Sequence, residues 1–571
     1  MTITNKSLKL VPNISFSPKE VDFMTRIKTI FRALLALGLT TSTLLTAQQS
    51  TISAQEVTLN PAIEQKLSIP APSELATLDS GLYSDIASMD VIGQVFEGLY
   101  RIKNAQEVEL GQAASVKVSE DGLTHTFTLR DDIYWSNGDP VKAQDFELAF
   151  RRLADRQAGT SVTSIEILKN GAAIRNGDKP VEELGVKALD DKTLELTLEY
   201  PVPALAKILT GSRYMPINKA FFQEKGDSYG TTADNVVTNG PFTIQGWNGT
   251  NLEWDLVKNP QYWDASHVYL TQVHQQVIKE NSTGADLFDS NQLDFTTLSD
   301  QFVQEYAGAP DFHSIPKATI GYLSFNTTRP TTGNAALRRA IAQAFDKQVY
   351  ADSVIQDGSQ PLNNLVPKSF DVNEAGEDYQ DKAGPMLTYD VQAAQADWAK
   401  AKEELGQETI ELQLLTSDVG LSKRTAEFLK EELEKNLPGL KLSVLSVPLK
   451  NRLEIQRKLD YDIFYGTWTP EYQDAVNFIE QYKTGGGTNF AKYANPEFDK
   501  LVELARNDYA KDPAKRRESL IEAEKILVKE DGVVAPIYQA SAAYLLKPKV
   551  KQFEVLPFGR SNNLRPVYID E

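Results

Sequence analysis

The sequence predicts an α/β or α+β fold in a chain long enough for about three structural lobes. The 571 residues are 41% hydrophobic and 24% charged, which is typical of globular proteins. At about 150 residues per domain, this length favours several lobes over one. Short amphipathic strands alternate with amphipathic helices along the chain, with no internal repeat of fixed period.

Three segments show the alternation of apolar and polar residues that is typical of half-buried strands. The clearest is 193–200, where Leu194, Leu196, Leu198 and Tyr200 fall on one face. The other two segments are residues 409–415 and 440–447.

Three helices are indicated by their ends or by their spacing of apolar residues. Asp390 is a favourable N-cap for a helix that Gly406 ends. Asp512 and Pro513 open a second helix, which reaches about residue 530. The third is 422–436, where apolar residues recur at helical spacing.

The charge and the cysteine count exclude several classes of function. Lys and Arg total 59 against 78 for Asp and Glu, so the net charge is -19. A chain this acidic and without a basic run is not expected to bind nucleic acid, although its acidity would mildly favour cationic ligands. The absence of cysteine rules out disulfides, thiol nucleophiles and thiolate metal sites.

The N-terminal region has the pattern of a secretory signal. Arg26, Lys28 and Arg32 precede an apolar, uncharged run over 33–45, and small residues follow. We therefore expect residues 24–47 to be a signal peptide and residues 1–23 to be an upstream extension. The run is shorter than the roughly 20 apolar residues that a membrane span needs.

The end of this signal resembles that of a bacterial lipoprotein, except at one position. A cysteine that carries the lipid would follow Ala47, but the residue here is Gln48. Without a thiol no thioether to lipid can form, so lipid anchoring is in doubt. We expect an extracytoplasmic protein of the cell envelope, membrane-associated or secreted, with the Ser-, Thr- and Gln-rich segment 48–55 as a tether.

Signatures of catalysis and of metal binding are missing from the sequence. It contains no HExxH, no Walker-type glycine loop, no GxSxG and no dinucleotide fingerprint. No two of the four histidines, His125, His267, His274 and His313, are three to five residues apart, as a local metal site would require. We therefore predict no catalytic residue, no metal site and no cofactor.

A series of short segments, spread in order over most of the chain after residue 55, resembles one family. They are LRDDI at 129–133, WSNGDPV at 135–141, AQDF at 143–146, TNGPF at 238–242, KNP at 258–260, YW at 262–263, FNT at 325–327, LRRAI at 337–341, DI at 462–463, 468–474 and NPEFD at 495–499. Together they are similar to the signature of the large extracytoplasmic solute-binding proteins for peptides and nickel.

This resemblance implies a periplasmic-binding-protein-like fold, with two α/β lobes joined by two crossing strands and an extra inserted domain. The ligand cleft would lie between the lobes. The implied division is a first lobe of residues 56–102, 212–318 and 540–571, an insert of 103–211 and a second lobe of 319–539.

The resemblance also implies a receptor that performs no chemistry and delivers oligopeptides to a membrane ABC permease. Peptide-binding members hold the ligand as an added strand between two protein segments. These segments correspond here to Ile86, Ala87 and Ser88 and to Thr467, Trp468 and Thr469. We further expect the protein to be a monomer.

An acidic residue follows the second segment in such proteins, where it meets the α-ammonium group of the peptide. Glu471 matches this position with Glu in place of Asp, and Asp474 is the second candidate. A basic residue that often precedes the segment is absent from 462–468. This departure favours ligands longer than a few residues, or a peptide C-terminus satisfied by water.

Other functions remain open at this stage. Within the same family, the ligand could be a peptide pheromone, nickel, haem or a small sugar. From a different class, the chain could be a secreted carbohydrate-active enzyme that uses Asp474 and Glu471 as its two carboxylates. A third possibility is an adhesive or chaperone-like surface protein, which would not close on a ligand.

Overall fold

The structure is a computed structural model that describes residues 57–570, except 161, 163 and 471. The chain divides into two compact units, Met1–Pro61 and Ala62–Glu571. Of the first unit only residues 57–61 are described, and these form neither helix nor strand. The second unit holds all the elements named below. The predicted signal peptide and the predicted upstream extension lie outside the described residues.

The strands of the second unit range from short pairs to two unusually long members. They are β1 Lys66–Ala71, β2 Tyr100–Ile102, β3 Val108–Leu110, β4 Ala113–Val118, β5 Thr124–Leu129, β6 Val186–Ala188, β7 Thr193–Thr197, β8 Phe242–Gln245, β9 Glu253–Lys258, β10 Gln272–Val277, β11 Phe295–Leu298, β12 Phe312–Phe325, β13 Gln360–Pro361, β14 Ile410–Ser417, β15 Leu440–Val447, β16 Ile463–Trp468, β17 Val534–Leu546, β18 Val550–Lys551 and β19 Tyr568–Ile569.

The helices lie between these strands along the chain. They are α1 Ile86–Val95, α2 Ala143–Ala154, α3 Gly171–Asn176, α4 Leu205–Ile208, α5 Lys219–Lys225, α6 Asn281–Asp289, α7 Gln301–Tyr306, α8 Ala335–Gln343, α9 Lys347–Tyr350, α10 Tyr379–Ala383, α11 Val391–Leu405, α12 Gly420–Asn436, α13 Leu449–Arg457, α14 Val476–Ile479, α15 Pro496–Arg506 and α16 Pro513–Glu524. Two of them continue into π-helical turns, at Ala351–Ile355 and Lys525–Glu530.

The strands of the described residues form three larger sheets and two two-stranded pairs. One four-stranded sheet has the order β1-β10-β9-β8, and another has the order β4-β5-β7-β6. The largest sheet has the order β11-β17-β12-β16-β14-β15, with β13 also paired to β17. The two-stranded pairs are β2-β3 and β18-β19.

The fold is α/β and two-lobed, as the family resemblance implies, and its apolar cores follow the lobes. One core draws on residues 67–295 and 544–569, and we call this part the first lobe. Two adjoining cores draw on 318–538, and this part is the second lobe. The long strands β12 and β17 pair antiparallel and have residues in both lobes. Their register shifts between Pro316 and Ile320, where the chain passes from one lobe to the other.

The predicted division into lobes and insert is compatible with these sheets, but its boundaries stay a prediction. The sheet β4-β5-β7-β6 falls within the predicted insert, 103–211. Strands β14, β15 and β16 fall within the predicted second lobe, 319–539.

The individual elements agree with the sequence prediction to within a few residues. The strand predicted at 440–447 is β15, and the strand predicted at 193–200 is β7, which ends at Thr197. The helix expected from Asp390 is α11, where the Asp390 carboxylate accepts the N–H of Ala393. Gly406 closes this helix with a left-handed φ of 64°.

Among the described residues, no helix combines the length and the apolar character that crossing a membrane requires.

Candidate functional site

A cavity of about 550 Å³ lies between the two lobes, in the position that binding clefts commonly occupy. On the first-lobe side its wall includes residues around the start of α1, the end of β2, helix α4 with the loop after it, and the segment 556–560. On the second-lobe side it includes Thr319, Thr469, Pro470 and Gln473. The strand β12 contributes Lys317 between these two sides.

The lobes contact each other beside this cavity. Tyr472 packs against the apolar cores of both lobes. Gln473 donates a hydrogen bond to the side-chain oxygen of Gln106 at 3.3 Å, and the Arg506 guanidinium lies 4.1 Å from the Tyr200 ring centroid. The structure therefore shows the two sides of the cleft in contact.

The second-lobe wall is built from strand β16. On one side this strand pairs antiparallel with β12 along its whole length, from Phe325↔Ile463 to Ile320↔Trp468. On the other side its parallel ladder with β14 ends at Leu415↔Phe464. Beyond Phe464, the β14-facing edge of β16 has no strand partner among the described residues, so backbone groups near Thr467 are available to an added strand.

The three predicted residues of this wall differ in their surroundings. Thr467 and Thr469 are exposed, and Thr469 lines the cavity, where its hydroxyl lies 2.8 Å from that of Thr319. The Trp468 ring packs on the edge of the second-lobe core, and its buried Nε1 has no hydrogen-bond partner among the described residues. An added strand would therefore meet two polar side chains and one indole here.

Asp474 is buried and holds its own loop in place. Its two carboxylate oxygens each accept from Arg516 Nη2 at 2.9 Å, and Oδ1 also accepts the N–H of Val476 at 3.0 Å. Because both of its oxygens are engaged within the second lobe, Asp474 has a structural role and is poorly available to a ligand. Glu471, the other predicted acidic residue, lies outside the described residues.

The first-lobe wall has a different backbone from the one expected. Ile86, Ala87 and Ser88 form the first turn of α1, where the Asp85 carboxylate caps the helix by accepting the N–H of Ser88 at 2.7 Å. A helical turn points its N–H and C=O groups along the helix axis and offers no strand edge. Peptide pairing at these residues stays a prediction, and this helical conformation does not favour it.

Of these three residues only Ile86 reaches the cavity. Its side chain is 55% exposed and lines the wall, whereas Ala87 and Ser88 are buried. The Ser88 hydroxyl accepts the N–H groups of Ala76 and Thr77 at 3.2 Å, so it supports the fold of the first lobe. The signal for this helix is present in the sequence, since Asp85 is a favourable N-cap ahead of the buried Ile92 and Val95.

Sequence reasoning missed a set of basic residues in the cavity wall. They are Lys207, Arg213, Lys317 and Arg560. Lys207 and Arg213 are near each other in the chain, but Lys317 and Arg560 are distant from them, so no local pattern could have indicated the set. The charge of the cavity wall is thus opposite in sign to the net charge of the chain, which had suggested cationic ligands.

Burial shifts the titration of several groups around the cavity. It lowers the pKa of the Lys207 and Lys317 ammonium groups below their usual range. It also lowers the pKa of Arg560 to about 10. On α1, burial raises the pKa of Asp90 to about 6, although the Ser561 N–H donates to this carboxylate at 2.6 Å.

The histidines lie at ordinary structural positions. His267 and His274 each face an aspartate, Asp264 and Asp255, through Nδ1 at 2.5 and 3.0 Å. His313 stacks on the ring of Tyr544. In the part of the chain that the structure describes, no three His, Asp or Glu side chains converge as a metal site would need.

Comparison with known proteins agrees with the fold. The dipeptide-binding protein of Lactococcus lactis subsp. cremoris (strain MG1363) is 32% identical over 523 residues, which are 89% of this chain and 95% of that protein. The oligopeptide-binding protein OppA of Bacillus subtilis (strain 168) is 32% identical over 83% of this chain and 87% of its own. The structure of Listeria monocytogenes OppA bound to peptide superposes with a TM-score of 0.71 at 35% identity, and it covers 89% of this chain and 99% of that one.

The family model described as bacterial extracellular solute-binding proteins, family 5 Middle, matches residues 107–490, which is more than half of the chain. That range contains the cavity-lining residues of the second lobe and the segment 207–214 of the first. With its two lobes, its cleft and its relatives, the chain belongs to the bacterial extracellular solute-binding proteins of family 5.

Proposed function

We propose that this protein binds extended oligopeptides in the cleft between its lobes and delivers them to an ABC-type permease of the membrane. One observation supports a peptide ligand most directly: beyond Phe464 the edge of β16 has no strand partner among the described residues, and the chain reaches the cavity wall at Thr469. The Tyr465 C=O accepts from Arg452 Nη1, so a peptide backbone would continue the sheet beyond that point, near Thr467. The relatives named as dipeptide- and oligopeptide-binding proteins support the same ligand class.

Recognition through an added strand explains how one cleft accepts many sequences. The backbone N–H and C=O groups are the same in every peptide, so strand addition supplies affinity without selecting side chains. Shuffled peptides of equal length and charge should then bind within about tenfold of each other, or about 1.4 kcal/mol.

The remaining parts of the proposal follow from family membership and from the sequence. The protein acts as a monomeric carrier outside the membrane, is exported by the signal over 24–47 and catalyses no reaction. Because Gln48 replaces the lipid-bearing cysteine, it is not held by a lipoprotein anchor. Fractionation of the native host, with fatty-acid labelling, tests the export and the anchor together.

The peptide mode is tested by methylating the ligand backbone one nitrogen at a time. Along a strand that pairs at one edge, every second residue directs its N–H and C=O to the partner. Because the second-lobe wall offers a strand edge and the first-lobe wall a helix, calorimetry should show affinity losses that alternate along the peptide. Losses at successive residues would mean pairing at both edges. Binding that ignores methylation everywhere would overturn strand addition.

A further inference from the structure

The cleft of this acidic protein carries an excess of positive charge. Lys207, Arg213, Lys317 and Arg560 line one cavity, and Glu107 is the carboxylate that lines it among the described residues. Glu107 already pairs with Lys103 at 2.9 Å, so it does not neutralise the other four.

None of these four cations has a carboxylate oxygen within 4.0 Å among the described residues. Lys207 also donates no hydrogen bond to any described side chain or backbone group, although it is half-buried. The two aspartates that act on it at longer range have partners of their own, Asp371 with Arg517 and Asp474 with Arg516.

Arg213 has most of its donors unused. Its Nη2 donates to the backbone oxygen of Tyr83 at 2.9 Å, and its guanidinium lies 4.2 Å from the centroid of the Tyr83 ring. This stacking fixes the plane of the guanidinium at the cavity wall. A planar fork held in this way is suited to a carboxylate.

Arg560 and Lys317 extend the positive charge along the wall. Arg560 is 9% exposed, and its buried Nε has no partner among the described residues. Lys317 donates to the backbone oxygen of Leu556 at 2.7 Å. The Asp90 carboxylate, which is buried and accepts the N–H of Ser561, acts electrostatically on both.

Unpaired cations in a partly enclosed cavity are unfavourable unless an anion reaches them. We propose that this cavity is a carboxylate-binding subsite, in which Lys207 and Arg213 hold a carboxylate group of the peptide ligand. The group is either an acidic side chain or the C-terminal carboxylate. This inference rests on the proposed function, and it adds a preference for anionic peptides.

Calorimetry with a matched set of pentapeptides tests the subsite. The peptides differ only by Glu, Gln or Lys at one position, and each is made with a free and an amidated C-terminus. The variants are Lys207→Met, Lys207→Arg, Lys207→Glu and Arg213→Met. Lys187→Met is the control, because Lys187 is exposed on β6 of the same lobe and does not line the cavity.

The wild type should bind the carboxylate-bearing peptide about tenfold to a hundredfold more tightly than its amide match, as expected for a charge-assisted hydrogen bond. Lys207→Met and Arg213→Met should each lose most of this difference, whereas Lys207→Arg and Lys187→Met should keep it. Lys207→Glu should instead favour a peptide with Lys at the same position. The sensitive position, side chain or C-terminus, identifies the source of the carboxylate.

Two negative outcomes are separable. If the wild type binds all the peptides but does not distinguish carboxylate from amide, or if Lys207→Met and Arg213→Met keep the distinction, the subsite is overturned and peptide binding stands. If no peptide binds to the wild type, the proposed function fails and this inference fails with it.

Discussion

The two walls of the cleft differ in backbone conformation, one being a strand and the other the start of a helix. The second-lobe wall is a strand, β16, whose ladder with β14 stops at Phe464 and leaves an edge open. The first-lobe wall at Ile86 is the start of a capped helix, whose backbone groups point along the helix axis and offer no strand edge. We infer that the second lobe supplies main-chain recognition, whereas the first lobe supplies side chains, among them Lys207 and Arg213.

The largest effect, on stability, is expected at the Asp474–Arg516 pair, which holds the loop of the second-lobe wall in place. Asp474→Ala leaves the buried Arg516 guanidinium unpaired, and the loss of one partner of a buried pair typically costs about 3 to 5 kcal/mol. Chemical denaturation measures the free energy of unfolding. Arg516→Ala should cost a similar amount, and the double variant should cost less than the sum of the two. Additive losses would show that the pair is not a unit.

A slightly smaller effect, on binding, is expected at Glu471, which we propose holds the α-ammonium group of the ligand. Loss of one partner of a desolvated ion pair typically costs about 2 to 5 kcal/mol, more than one ladder hydrogen bond contributes. Glu471→Ala should weaken a free peptide strongly, and N-acetylation should weaken its binding to wild type similarly. The two losses should not add, because both remove the same contact.

Calorimetry decides this point. If Glu471→Ala still distinguished free from acetylated peptide as the wild type does, the assignment to Glu471 would be wrong. Asp474 would then be the next residue to consider, despite its pairing with Arg516.

In the first-lobe wall, ionisation of Asp90 on α1 should make the free energy of unfolding depend on pH. Burial raises the pKa of Asp90 to about 6 from an ordinary value of 3.8, and Arg560 and Lys317 offset this only in part. The folded protein therefore binds more protons than the unfolded chain between about pH 4 and pH 6. The contribution of Asp90 to the free energy of unfolding must fall as the pH rises through that window.

Asp90→Asn keeps an acceptor for the Ser561 N–H but cannot ionise. Relative to wild type, its free energy of unfolding should rise by on the order of 3 kcal/mol between pH 4 and pH 7, since each pKa unit corresponds to about 1.4 kcal/mol. Denaturation curves at several pH values measure this difference. Parallel pH profiles for the two proteins would contradict the proposed burial of the charge.

The smallest effect is expected at the cap of α1. Asp85→Ala removes the acceptor of the Ser88 N–H and should lower the free energy of unfolding by about 1 kcal/mol, as for other N-caps. Asp85→Ser, which can still cap the helix, serves as the control. If Asp85→Ala changed neither the stability nor the affinity, the first-lobe wall would not depend on this helix start.

The sequence predicted those features that depend on local chemistry. Asp390 and Gly406 mark the ends of α11 because caps are set by single side chains, and β15 follows from its alternation of residues. The segment 467–469 was chosen from the family resemblance and not from local chemistry, and the structure places it at the end of β16. The assignment of the first segment to residues 86–88 did not take into account that Asp85 begins a helix at this point.

The set of basic residues in the cavity wall could not be predicted, because it depends on how segments distant in the chain pack together. Lys207 lies in the short helix α4, Lys317 lies on a strand that crosses between lobes, and Arg560 belongs to the C-terminal part of the chain. Only the packing of these distant segments against one another brings the charges together. Composition reports the sum of all charges, which here has the opposite sign.

The open edge of β16 also limits what kind of molecule can use it. Unpaired strand edges on a protein surface promote aggregation, because other chains can extend the sheet. Here the edge runs into a crevice between two bodies, where a folded protein with its own sheet cannot enter. Only a single extended segment is thin enough to reach it. The cleft therefore admits short peptides and excludes folded proteins.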